Sequence, residues 1–163
     1  MNLTAMSAEQ LWHVLSKDSW RMSTVADVKD GETIMDIGSG GGVVGIPFAI
    51  WNANARVVLV DPVRKKTSFL LYVAGILRLR NVTVVTSRLG KGDLAHEWQH
   101  SVDCLCSRAA LPHDYLLREA EPLLSGSGRV VLWLHDARHV ASEWNAGASP
   151  RHARAFGEGI VRW

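Results

Sequence analysis

Cysteine is scarce in this chain: Cys104 and Cys106 are the only two in 163 residues. They stand two apart in VDCLCS, so in a strand they share one face and cannot easily bridge each other. A zinc site needs a second ligand pair at matching spacing, and no such pair is present. Both read as buried thiols, which implies a reducing compartment, the cytoplasm. Long apolar runs are also missing. No stretch reaches the roughly 18 residues of a membrane-spanning helix, and MNLTAMSAEQLWHVL lacks the basic start and apolar run of a secretory signal. Neither sign of charge dominates: 18 Lys and Arg face 16 Asp and Glu, a formal +2. So small a surplus neither demands nor opposes a nucleic-acid partner. A disulfide scaffold, a membrane span and a structural zinc module are thereby set aside.

What remains is an ordinary globular composition, 47% hydrophobic and 21% charged, long enough for one domain with a sizeable core. Ser7 and Gln10 suit a capping box opening a short helix with Leu11, Val14 and Leu15 on one face. TIMDI, RVVLV, VTVVT, VDCLC and RVVLWL read as five strands. Between them come a glycine loop with an apolar helix through IPFAIW, and a long helix from Val63 to Leu79 with Phe69, Leu70, Val73, Ile76 and Leu77 inward. A helix over HDYLLREAEPLL follows. DARHVASEW is expected to begin another helix, and the tail after residue 145 to hold one edge strand. Apolar strands alternating with helices imply an α/β, Rossmann-like domain with a mostly parallel sheet covered on both faces. Its parts are a helical segment at 1–30, an α/β core at 31–145 and a tail at 146–163. Ligands of such sheets bind at the carboxyl ends of the strands, where strand order reverses.

The segment MDIGSGGGVVGIP sits at such an end. Glycines are needed where a chain turns sharply from strand to helix and where backbone must approach a ligand. The nicotinamide pattern G-x-G-x-x-G fails, because Gly38 and Gly40 are followed by Val43 at the third position. Asp36, Gly38 and Gly40 instead satisfy D-x-G-x-G, the pattern of S-adenosylmethionine sites, in which the acid organises the loop amides and attracts the cofactor's amino group. Asp61 ends the second strand 23 residues after Gly38, where a carboxylate can accept both ribose hydroxyls. Taken singly, the acids also suit turn and helix caps. Together, in this strand context, they point to a nucleotide-like cofactor.

MDIGSGGGVVGIPFAI, LVDPVRKKTSFL, NVTVVTSRLG and VDCLCSRAAL, in that order, resemble the bacterial small-subunit ribosomal RNA guanine-N7 methyltransferases, also called glucose-inhibited division protein B. NLTAMSAEQLWHVLSKDS resembles that family's NLT…DS segment, and the likeness runs from Asn2 to Leu134. It implies a class I S-adenosylmethionine-dependent methyltransferase fold. It also implies cofactor contacts from Gly38, Val43 and the backbone at Leu89 and Gly90, with Arg108 lining the place where methyl donor and base meet. Arg88 and Lys65 would contribute to an RNA-facing or structural polar network, and the partner would be ribosomal RNA or the small subunit. Lys66, in the basic start of the long helix, is a further RNA-facing candidate, with a solvated charged turn as its alternative. The chain departs from the family in starting at NLT, in ending early, in carrying Leu89, Gly90 and Lys91 where acids are frequent, and in having His135 in place of a lysine.

Attack by guanine N7 on a sulfonium methyl needs no general base, since the N7 lone pair is free at neutral pH. Alignment then carries catalysis, and Arg108 would act by contacting guanine O6 or phosphate. Two other readings use the same domain: a small-molecule methyltransferase, or a cofactor-binding protein without catalysis. The seven tryptophans have no fixed spacing and suit packing. His135, His139 and His152 form no metal-ligand pattern, and no metal is expected.

Overall fold

The computed structural model describes residues 7–91, 93–108 and 111–133, the side chains of 8 and 10–15 excepted, together with the main chain of 154–156 and 160–162. Five strands run parallel: β1 (Thr33–Ile37), β2 (Arg56–Val60), β3 (Val82–Val85), β4 (Val102–Arg108) and β5 (Leu124–Trp133). Two short strands, β6 (Arg154–Phe156) and β7 (Ile160–Arg162), pair antiparallel, and β7 also pairs antiparallel with β5. The sheet order is β3-β2-β1-β4-β5-β7-β6. The chain winds outward from β1 to β3, then returns to place β4 on the other side of β1. That reversal opens the crevice in which such sheets bind ligands.

Continuous apolar strands arise because both faces are buried. Alternate residues divide between two cores, as the two-residue strand period requires. Ile34, Val57, Leu59, Cys104 and Cys106 face one core, with α1 (Ala8–Ala26), α2 (Gly45–Trp51) and α3 (Arg64–Ile76). Met35, Val58, Val60 and Leu105 face the other, with α4 (Leu94–Glu97) and α5 (His113–Ala120). The two cysteines are buried and on one face, as their spacing predicts.

Several boundaries differ from the sequence expectation. The first helix is not short: α1 runs for 19 residues, with Ser7 just before it. α3 ends at Ile76 rather than Leu79, because Arg78 adopts the left-handed region at φ 54°. Its expected inward set is only partly inward. Thr67, Leu70 and Ala74 are buried and Val73 is half-buried, whereas Phe69, Ile76 and Leu77 are exposed. Apolar residues surround this helix, so periodicity alone does not choose the buried side. The hydroxyl pair of Thr67 and Thr86, 2.7 Å apart, anchors the small-residue face against the sheet. The helix over HDYLLREAEPLL gives way at Ala120 to a 3₁₀ turn, Glu121–Leu123, because Pro122 lacks an N–H and its ring crowds the preceding turn. β5 starts at Leu124, five residues before Arg129, where it was expected. The four-residue α4 was too short to show a period, and the single edge strand of the tail is a pair. The expected DARHVASEW helix and His135 lie outside the described residues.

One polar side chain ties the layers together. Buried Arg129 of β5 donates Nε to the Ala26 carbonyl and Nη2 to the Asp27 carbonyl at the foot of α1. It also makes a bidentate pair with Glu32 at 3.0 and 2.6 Å, and bonds the Asp103 carbonyl. The Arg129 hydrogen bond holds the Glu32 carboxyl below its ordinary range.

Candidate active site

The glycine loop leaves β1 and folds back over the end of β2. The amides of Gly38 and Ser39 both donate to the Val60 carbonyl, at 2.8 and 3.0 Å, and Gly42 closes a turn onto the Ser39 carbonyl. Gly45 opens α2 in direct contact with the sheet: a Cβ there would stand 2.1 Å from Leu59 Cδ2 and 2.8 Å from Asp36 Oδ2. Over Gly41, by contrast, a Cβ would meet nothing within 4 Å, and over Gly40 only a backbone oxygen at 3.7 Å. The loop is thus packed tightly below and open above.

The two acids brace it from beneath. Asp36, 2% exposed, accepts the Gly45 amide on Oδ2 at 3.1 Å, and Cys106 Sγ lies 4.0 Å from its Oδ1. Burial pushes its carboxyl up to about 7 against the opposing hydrogen bonds of Ser39 and Gly45, and the nearby Asp61 charge adds to the rise. Asp61 accepts the Gly40 amide on Oδ2 at 3.0 Å and the Val63 amide on Oδ1 at 2.8 Å. Lys66 Nζ stands 3.7 Å from Oδ2, so this lysine lies over the acid. Both Asp61 oxygens keep lone-pair capacity after one backbone bond each.

Arg108 ends β4 beside Trp133, the last residue of β5, with its guanidinium 5.6 Å from the ring centroid. Asp18 of α1 pairs with it at 2.9 Å; the two side chains are 12% and 19% exposed. Burial raises the Asp18 carboxyl, and the charge of Arg108 opposes the rise. The next residue, Ser19, donates its hydroxyl to the Val43 carbonyl of the glycine loop. One turn of α1 therefore touches both the loop and the arginine. After β3, buried Leu89 offers its carbonyl to Tyr115 Oη at 3.0 Å, and Gly90 follows at φ 74°. A Cβ on Gly90 would stand 2.5 Å from Tyr115 Oη. Arg88 and Lys65 are exposed. Among the described residues no group of His, Cys, Asp and Glu is suited to a metal ion.

Residues 1–149 match the family described as GidB, rRNA small subunit methyltransferase G. The chain belongs to that family. The ribosomal RNA small subunit methyltransferase G of Sorangium cellulosum is 36% identical over 137 residues, which cover 81% of this chain and 56% of the relative. That of Gloeobacter violaceus is also 36% identical over 137 residues, covering 82% and 53%. The chain spans about half the length of the curated relatives it matches. Among solved structures, an RNA methyltransferase of Salinibacter ruber in complex with S-adenosyl-L-homocysteine superposes with a TM-score of 0.69 at 20% identity, covering 90% of this chain and 89% of that one. A SAM-dependent methyltransferase of Aquifex aeolicus gives 0.68 at 17%, covering 89% and 87%. These likenesses establish the class I methyltransferase fold.

In this GidB-family chain the structure brings Gly38, Gly40, Val43 and Asp61 into one loop cluster, with Asp36 directly underneath. It sets Arg108 at the adjoining strand end. Three contributors escaped the residue-by-residue reading. Asp18 and Ser19 entered only as letters of a similar segment, and Trp133 only as one of seven tryptophans. A carboxylate inside an otherwise apolar helix face was the available signal for Asp18.

Proposed function

We propose that this chain is an S-adenosylmethionine-dependent methyltransferase acting on guanine N7 of small-subunit ribosomal RNA in the cytoplasm. The observation that carries this reading is the loop after β1, open above Gly40 and Gly41 and flanked by Asp36 and Asp61, within a chain that matches the family over 1–149. A side-chain-free loop bonded through Gly40 to Asp61, with Asp36 buried beneath it, suits a ligand with a cationic amino acid end and a ribose. Gly38, Gly40 and Val43 would hold the amino acid end and Asp61 the ribose hydroxyls, while Leu89 and Gly90 would border the base. When bound, the cofactor supplies an electrophilic methyl on a sulfonium.

The protein's own work is alignment. Guanine N7 is already an unprotonated nucleophile, so the site requires no base, and correct placement alone can lower such barriers by about 7–11 kcal/mol. Arg108, held by Asp18 and the Trp133 ring, keeps N–H groups for guanine O6 or a phosphate, since five donors exceed what one carboxylate uses. Asp18 is a positioning residue. Arg88 and Lys65 would meet the RNA from the exposed rim, and Lys66 would do so once displaced from Asp61.

Calorimetric titration with S-adenosylmethionine, followed by transfer of labelled methyl to small-subunit ribosomal RNA, tests the reading. Expected are cofactor binding and a labelled 7-methylguanine. Binding without transfer to any nucleic acid would overturn it in favour of a small-molecule enzyme or a cofactor-binding protein.

A further inference from the structure

No acid occurs between Asp61 and Asp93, whereas seven of the eighteen lysines and arginines do. The rest of the chain holds eleven cations against sixteen acids, so the formal +2 conceals a segregated field. This segment builds one side of the molecule: the β2–α3 turn, α3, and β3 at the sheet edge. With Thr67, Leu70 and Ala74 turned inward, α3 leaves an outward stripe of Phe69, Tyr72 and Ile76, which are 49%, 66% and 62% exposed. Cations stand at both ends of the stripe. Arg64 and Lys65 lie at the end near Asp61, and Arg78 and Arg80 at the other, about 20 Å away along a helix rising ~1.5 Å per residue. None of these four makes an ion pair among the described residues. At the far end, Ile50, Leu77, Arg78 and Arg80 border an open groove of about 660 Å³.

We propose that the outer face of α3 is a docking surface for RNA, distinct from the cofactor crevice and continuous with its basic rim. The proposal rests on the reading of the chain as an RNA methyltransferase. Aromatic rings flanked by unpaired cations suit single-stranded nucleic acid, whose bases stack on the rings while phosphates meet the charges. A second copy suits this face poorly. A two-fold interface would set cations against cations in either helix direction, because both ends of the stripe are positive.

The experiment titrates labelled small-subunit ribosomal RNA with the full chain by fluorescence anisotropy, between about 50 and 200 mM KCl. Two variants are compared with the wild type, Arg78→Gln/Arg80→Gln and Phe69→Ala/Tyr72→Ala. All four positions are exposed and lie outside the cofactor crevice, so S-adenosylmethionine affinity should be unchanged. The arginine variant should reduce the slope of log affinity against log salt by about 1 to 2. The aromatic variant should lose roughly 5- to 150-fold in affinity for each base no longer stacked, with the salt slope kept. Wild-type binding with both variants unaffected would overturn the docking surface and leave the proposed function standing. A wild type that binds no RNA would overturn both. Sedimentation showing a dimer that the aromatic variant dissociates would assign the face to a second copy. Loss of binding to phosphatidylglycerol vesicles, with RNA affinity unchanged, would assign it to a lipid surface; either result overturns the proposal.

Discussion

Replacing Asp36 with asparagine separates the acid's cost from its use. Burial raises its carboxyl from 3.8 to about 7 in the folded protein. Between those values the folded chain carries a proton on Asp36 that the unfolded chain has released. Folding stability contributed by this group is therefore complete below pH ~3.8 and is lost as pH rises through ~7. The total is about 4 kcal/mol, at roughly 1.4 kcal/mol per pH unit. Asparagine has a similar shape, accepts the Gly45 amide through its own oxygen and carries no charge to desolvate. Asp36→Asn should match the wild type near pH 4 and exceed it by up to about 4 kcal/mol at pH 8. For a chain of this length that is an upward shift of roughly 8–16 °C in Tm.

Thermal unfolding of both proteins from pH 4 to pH 8, each Tm difference taken at one pH, is the assay. A variant less stable than the wild type at every pH, or a difference that does not grow with pH, would refute the reasoning. Calorimetric binding supplies the second half. If the ionised carboxylate attracts the cationic end of S-adenosylmethionine, wild-type affinity should rise with pH up to ~7 and level off above it, by at most tenfold per pH unit. In Asp36→Asn that dependence should vanish and the affinity should be lower. A stabilised protein that binds cofactor less well would mark the acid as retained for function at the expense of stability.

Three further outcomes follow from contacts already described. Gly45→Ala would force its methyl against Leu59 Cδ2 and Asp36, a clash expected to cost about 1–3 kcal/mol in urea unfolding and to weaken cofactor binding; Leu59→Ala in the same chain should recover part of the affinity. Arg129→Ala removes Glu32's ion-pair partner and the arginine's bonds to the Ala26, Asp27 and Asp103 carbonyls, so a loss of about 3–5 kcal/mol in urea unfolding is expected. Asp18→Asn frees Arg108 without emptying the loop; methyl transfer should fall roughly 10–100-fold through kcat, with S-adenosylmethionine affinity within a factor of two or so. Equal losses in rate and cofactor affinity would make Asp18 merely structural.

The parallel core was readable because buried strands leave an unambiguous mark: TIMDI, RVVLV and VDCLC are apolar on both faces, and both faces are covered. The loop was readable because a strand-to-helix turn against a ligand tolerates few residues other than glycine. α3 was misjudged for the opposite reason. Its sequence is apolar nearly all round, and what selects the inward side is a threonine pair and an alanine, which carry little hydrophobic signal. The pairing of Asp18 with Arg108 joins residues ninety positions apart. No local period encodes such a contact; it follows from α1 packing along β5, β4's neighbour, so that Asp18 reaches the end of β4 and Ser19 the glycine loop.

That placement of α1 also explains why one helix can serve both stability and the site. Its foot is fastened by Arg129 through the carbonyls of Ala26 and Asp27, and Met22 and Ala26 enter the core below β1. Two turns earlier, Asp18 and Ser19 reach Arg108 and the Val43 carbonyl. Because a packed helix moves as a rigid body, shifts at either end are shared. Loop and arginine therefore keep their mutual spacing even though they leave different strands. A reaction that depends on alignment needs that spacing held. The β1–β4 ladder, with Ser107 Oγ donating to the Ile37 carbonyl at 2.8 Å, sets that spacing at the strand ends, and α1 adds a second tie through Asp18 and Ser19.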